Sequence, residues 1–189
     1  MQNIAIFGSG SGTNAENIIR FFANNDKINV VVTLSNKKDA GIHARSTNLG
    51  VPSYSFSFAE FKEGKAVLSK LEEYKVDFIV LAGFLPLVSP TIIDAFPNKI
   101  INIHPALLPK FGGKGMYGVY VHEAVVAAKE TQTGITVHYV NNRYDEGTVI
   151  FQALCQVLPE DTVEDVEKKV HALEYAFYPQ VIEQLLQSL

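Results

Sequence analysis

Asn102 and His104, in the stretch "IINIHPALLP", stand two residues apart and so share a face wherever the backbone is extended. Pro105 follows at once; it cannot donate to a sheet ladder, so the strand that carries them ends there. An amide and an imidazole presented side by side at a strand end offer two hydrogen-bond donors to one small space. Such donors stabilise the negative charge that grows on a carbonyl oxygen under nucleophilic attack. The imidazole donates a proton only if it protonates readily near neutral pH, and a neighbouring carboxylate favours that form by raising its pKa. Asp145, in the turn "NNRYDEG", is the best candidate for the carboxylate, although a turn aspartate needs no partner to explain it.

A second constellation lies near the start. "GSGSGTNAE" follows the first apolar run, and Gly8, Gly10 and Gly12 allow a sharp turn that leaves backbone amides pointing outward. Thr13 and Glu16 have capping-box spacing, which predicts a helix beginning near Thr13 or Asn14. Amides at a helix N-terminus suit a phosphate, through hydrogen bonds and the helix dipole together. "GSGTNA" also satisfies the loose dinucleotide pattern GxGxxA, but the following strand, "INVVVTLSN", ends without the acidic residue that would hold a ribose diol. A phosphate monoester fits the turn better than NAD; a tight turn without a ligand is the alternative.

The elements that must position these groups can be read from periodicity. "NIAIFG" is a near-continuous apolar run, the pattern of a strand covered on both faces. "NAENIIRFFANN" carries a helical stripe. "INVVVTL", "VPSYSF", "VDFIVLAG" and "KIINIH" read as further strands, with helical stretches around Ala40 to Leu49 and Glu60 to Tyr74. Such alternation implies βαβ crossovers and a doubly wound, mostly parallel sheet. "GITVHYV" and "TVIFQALCQVL" are too close for a crossover helix and predict a C-terminal antiparallel hairpin. The chain closes in a helix, with Pro179 expected to kink or break it. His104 then sits at the carboxyl end of a strand, where ligands gather in such sheets.

The 189 residues suit one domain, and an apolar content of 47% with 11% aromatics supplies a core. The net charge of −4 lacks the basic cluster of a nucleic-acid groove. No apolar stretch reaches the roughly 20 residues of a membrane span, and no signal peptide is evident. The single Cys155 excludes an internal disulfide, fits a reducing compartment, and lies in a strand as a core residue. A soluble, cytoplasmic protein is expected. The histidines are not at metal-ligand spacing, so no metal is expected.

"LAGFLPLVSP", "IINIHPALLPKFGGKG", "GITVHYV" and "YDEGTVIFQ", with "GSGSGTN" at the start, occur in the order and approximate spacing of the folate-dependent formyltransferases, and the chain resembles that family along essentially its whole length. NIHP followed by LLP is the specific part of the signal. The resemblance implies a single formyltransferase domain over residues 1–189. It further implies transfer of a formyl group from 10-formyltetrahydrofolate to the amine of glycinamide ribonucleotide, a step of purine synthesis. By it, Asn102, His104 and Asp145 match the catalytic residues. Gly12, Thr13 and Asn14 match the phosphate-binding segment, Glu174 a ribose contact, and His171 a weaker phosphate neighbour. Leu85, Pro86, Leu87 and Val88, with Asn102, Asn141, Asn142, Arg143 and Tyr144, match segments that hold the folate. His138 matches a histidine of structural character. The partners implied are small molecules, neither nucleic acid nor membrane, with oligomeric state left open.

Two departures stand out. An arginine that contacts folate in some relatives is replaced in "FKEGK", where Gly64 or Lys65 falls. The segment 110–122 is rich in glycine and aromatics and reads either as a lid or, through Tyr117, Tyr120 and His122, as packing at a helix start. Methionyl-tRNA formyltransferases and formyltetrahydrofolate deformylases share the motif but carry additional domains not expected in this acidic chain. A non-catalytic nucleotide-binding module would use the glycine turn alone.

Overall fold

The computed structural model describes residues 1–188, so Leu189, the last residue of the predicted terminal helix, lies outside the described residues. Strands β1 (Gln2–Phe7), β2 (Ile28–Ser35), β3 (Ser53–Ser55), β4 (Phe78–Leu81), β5 (Ile100–His104), β6 (Gln132–Tyr139) and β7 (Val149–Gln156) form one sheet in the order β3-β2-β1-β4-β5-β6-β7. The first five are parallel, while β6 runs antiparallel to β5 and β7 to β6. Helices α1 (Thr13–Phe22), α2 (Gly41–Asn48), α3 (Phe58–Glu63), α4 (Lys65–Glu73), α5 (Pro90–Ala95), α6 (Val119–Ala127) and α7 (Val163–Gln187) fill the connections and the C-terminus. This is the expected doubly wound sheet with its antiparallel hairpin and final helix.

β1 shows why its apolar run is continuous. Ile4 and Ile6 are buried in one core with Ile18, Tyr178 and Ile182. Ala5 and Phe7 are buried in a second core with Phe61, Leu71 and Ile92. A strand packed on both faces has no solvent side to reserve for polar residues. Each fully buried Ile or Phe contributes about 1.5–3 kcal/mol relative to leaving it exposed. The order of strands reverses between β1 and β4, and the loops after those two strands open a crevice at their carboxyl ends.

Three local expectations are corrected. The predicted capping box at Thr13 and Glu16 does not form: Gly12 is the N-cap of α1, at φ 79°, with no side-chain cap. Glu16 instead pairs with Arg20 and Arg45, because charged partners outcompete a neutral backbone amide for a carboxylate. Capping boxes do form at Ser57 with Glu60 and at Thr162 with Asp165. The helical stretch predicted over Glu60 to Tyr74 is two helices, broken where Gly64 takes φ 85°. A Cβ there would lie 2.9 Å from Ser89 Oγ and from Thr91 Cβ, so glycine lets α5 pack close.

Pro179 neither ends nor breaks α7. A proline leaves the carbonyl four residues earlier without its amide donor. Here that carbonyl belongs to Tyr175, and Asn17 Nδ2 of α1 donates to it at 2.9 Å. The replacement hydrogen bond, with burial of Pro179 itself, carries the helix through. Among the described residues no helix is long and apolar enough to cross a membrane.

Candidate active site

Register brings the polar residues together. Asn102 and His104 continue the face of β5 begun by Ile100, which belongs to the second core. β4 pairs with β5 only as far as Asn102, so His104 emerges beyond its neighbour's end. On the other side the antiparallel register sets His138 opposite Asn102 and Thr136 opposite His104. Directly opposed residues point to the same face, so one strand pairing delivers an amide and two imidazoles to one place. They line a cavity of about 650 Å³ that extends to the glycine turn.

Hydrogen bonds fix the protonation pattern. His104 Nε2 lies 2.7 Å from the Phe111 carbonyl, which only accepts, so Nε2 carries the hydrogen. Nδ1 then faces Asp145 Oδ2 at 3.6 Å. His138 Nδ1 likewise donates to the Tyr139 carbonyl at 2.8 Å. Its Nε2 lone pair accepts from Asn102 Nδ2 at 3.2 Å and lies 3.6 Å from Asp145 Oδ1. One Asn102 N–H is thus held by His138, which orients the amide and leaves the second N–H for a ligand.

Asp145 is held at φ 57°, and its Oδ2 accepts the Gly113 N–H at 2.9 Å. Burial pushes its carboxyl up, but His138, His104 and that amide together pull it below the ordinary range. His104 is 2% exposed, and burial pushes its imidazole down, opposed by the Asp145 charge and the Phe111 carbonyl. Asp145 does favour the imidazolium as the sequence suggests, but the net direction differs from that expectation. Desolvation of a nearly enclosed ring outweighs one carboxylate, so the resting His104 is neutral at pH 7.

The glycine turn crosses the mouth of the same cavity. Gly12 needs its left-handed backbone: a Cβ there would lie 2.4 Å from Ile42 Cα. The turn therefore packs directly on α2, and Gly12, Thr13 and Asn14 line the cavity at the start of α1. Asn14 Nδ2 donates to Glu174 Oε2 at 2.9 Å, and His171 Nε2 is 3.9 Å from the same oxygen. Glu174 is 6% exposed, and burial raises its carboxyl against the opposing Asn14 hydrogen bond.

Leu85, Pro86, Leu87 and Val88 all line the cavity, as do Arg143 and Tyr144. Asn141 and Asn142 do not; both are exposed, and Asn141 Oδ1 accepts the Arg143 N–H at 2.9 Å to shape the loop. Gly64 and Lys65 also lie away from the cavity lining. The 110–122 segment contributes Gly113 to Gly118 to the wall before α6 begins. Tyr117 and Tyr120 are exposed and stack edge to face at 5.3 Å, whereas His122 is buried. Cys155 packs against the first core, and burial pushes its thiol up.

Ser9 has a part that sequence reasoning missed: its Oγ accepts the Leu85 N–H at 3.0 Å and donates to Asn36, tying the glycine turn to the loop after β4. Only its place in the glycine turn hinted at it. Among the described residues there is no group of three or more His, Cys, Asp or Glu that could hold a metal.

A doubly wound sheet whose strands β5 and β6 bring one amide and two imidazoles to an aspartate at its crevice has the donors that stabilise an oxyanion. Residues 2–182 match the family model described as formyl transferase, and the chain belongs to that family. It is 38% identical over 188 residues to a chloroplastic phosphoribosylglycinamide formyltransferase of Arabidopsis thaliana, covering 96% of this chain and 64% of the relative. It is 35% identical over 191 residues to phosphoribosylglycinamide formyltransferase of Bacillus subtilis, covering 98% and 95%. The chain thus spans under two thirds of the plant relatives but nearly all of the bacterial one. Glycinamide ribonucleotide transformylase 1 from Symbiobacterium toebii superposes with a TM-score of 0.90 at 34% identity, covering 100% of this chain and 89% of that one.

Proposed function

We propose that the protein transfers the formyl group of 10-formyltetrahydrofolate to the amine of N1-(5-phospho-D-ribosyl)glycinamide, in de novo purine biosynthesis, as a single formyltransferase domain in the cytoplasm. The observation that carries this reading is one continuous cavity joining a phosphate-suited helix N-terminus to the Asn102, His104 and Asp145 cluster.

The ribonucleotide phosphate takes the amides of Gly12, Thr13 and Asn14, and a ribose hydroxyl meets Glu174. The pterin lies against Leu85 to Val88 and the Asn141 to Tyr144 loop, with Arg143 and Tyr144 its cavity-facing members. The amine lone pair attacks the formyl carbon, and the carbonyl π pair moves onto oxygen. Asn102 donates its free N–H to that oxygen. His104, neutral at rest, takes up at Nδ1 the proton that the substrate ammonium sheds in becoming the free amine. The imidazolium is then the second donor to the oxyanion and gives that proton to solvent when the oxyanion collapses. The proton lost by the amine passes through water held by Asp145 to the folate N10. The C–N10 bond then breaks and the oxyanion collapses to the new formamide. No protein nucleophile and no metal takes part.

Absorbance-monitored release of tetrahydrofolate tests the reading. Release should require the ribonucleotide and should be indifferent to chelator. Equal release without the amine would identify a deformylase, and loss with chelator restored by zinc would overturn the metal-free mechanism.

A further inference from the structure

The cavity wall between the glycine turn and His104 is polar, and beyond its two ends the proposed reaction uses only Glu174. Asn14 holds Glu174 at 2.9 Å, Glu174 Oε2 lies 3.9 Å from His171 Nε2, and the His171 ring meets the His122 ring edge on, with centroids 6.5 Å apart. Glu167, His171 and Glu174 stand at i, i+4 and i+7 on α7, one stripe of the helix, and all three line the cavity. His122 joins them from α6. A ligand reaching from the turn to His104 passes along this row.

Two members of the row have no use within the protein. His122 is 1% exposed, and its Nδ1 is buried without a hydrogen-bond partner. A buried imidazole left unpaired is a cost that an apolar residue would avoid. Glu167 is half-buried and makes no hydrogen bond or ion pair among the described residues, although its charge is the strongest acting on His122.

We infer that His122 and Glu167 form a subsite for the carboxamide that joins the ribose to the glycyl amine. A secondary amide offers one N–H and one C=O. The Glu167 carboxylate accepts the N–H, and the His122 ring donates to the carbonyl oxygen. The pair sets the distance from phosphate to amine, so it determines which phosphorylated amines reach the formyl carbon. This inference rests on the proposed reaction for the identity of its ligand.

The test uses Glu167→Ala and His122→Gln, with ribose 5-phosphate as a competitor that has the phosphate and ribose but lacks the carboxamide. The KM for the ribonucleotide should rise roughly 10–100-fold in each variant, the range for loss of a charge-assisted hydrogen bond. The KM for folate and the inhibition constant of ribose 5-phosphate should stay at the parent values. Glu167 is half-buried, so its variant carries the test even if His122→Gln does not fold. An unchanged ribonucleotide KM in Glu167→Ala, or an equal loss of ribose 5-phosphate binding, would overturn the subsite. If the parent transfers no formyl group, the reaction is wrong; calorimetric binding of the two phosphates to parent and variants then decides the subsite alone.

Discussion

His104 meets two opposed demands: a ring buried enough to act in a dry site resists the charge that would make it a donor. Asp145 supplies the counterweight at 3.6 Å. Asp145→Asn should therefore lower the His104 pKa further, and NMR titration of the ring reads it directly. An unchanged or higher value would sever the proposed coupling even if catalysis were lost. Asn102 is expected to matter through its free N–H alone. Asn102→Ala should reduce kcat about 10²–10³-fold, the usual effect of removing one oxyanion donor. His138 fixes which way that amide points, a role readable only from the two hydrogen bonds at its ring nitrogens.

The glycine turn and α1 act as a unit. Thr13→Asp puts a carboxylate at the helix N-terminus, where it competes with a phosphate for the same amides. The KM for the ribonucleotide should rise while that for folate stays put, and steady-state kinetics with each substrate varied in turn separate the two. Equal weakening of both would make the turn a structural element. Most of this level was legible in the sequence: the strand run of β1, the glycines after it and the β6–β7 hairpin all have local signals. What was not legible depends on partners distant in sequence. The Thr13 and Glu16 spacing is right for a cap, yet Arg45, 29 residues away, takes the carboxylate. Pro179 is a helix breaker until Asn17 of α1 supplies the missing donor. Glu174 looks like a solvated helix charge until the fold buries it against Asn14.

At the level of the whole molecule, burial of two imidazoles links stability to pH. His104 and His122 both lie below the ordinary histidine value, for which burial is the first cause. Between that value, about 6.5, and their lower folded values, the unfolded chain binds more protons, so stability falls as pH falls through that window. Denaturant unfolding at about pH 7.5 and pH 5.5 should show this loss, and His122→Gln should lessen it; the same slope in the variant would contradict the assignment. Asp145 does not contribute in this window, because its lowered carboxyl is already ionised there. The raised carboxyl of buried Glu174 acts in the opposite sense, so the comparison with His122→Gln isolates the imidazole contribution. The NIHP strand end was visible in the sequence, but the sign of the His104 shift was not, since enclosure by β6 and the Phe111 turn is a property of the assembled fold. The most direct measurement of what that assembly does follows the carbon itself. 10-Formyltetrahydrofolate labelled with ¹³C in the formyl group is mixed with the protein and glycinamide ribonucleotide, and the label is tracked by NMR. It should move to the formamide carbon of the ribonucleotide in proportion to the amine supplied; label collecting as free formate, or remaining on the folate, would contradict formyl transfer as the function of this site.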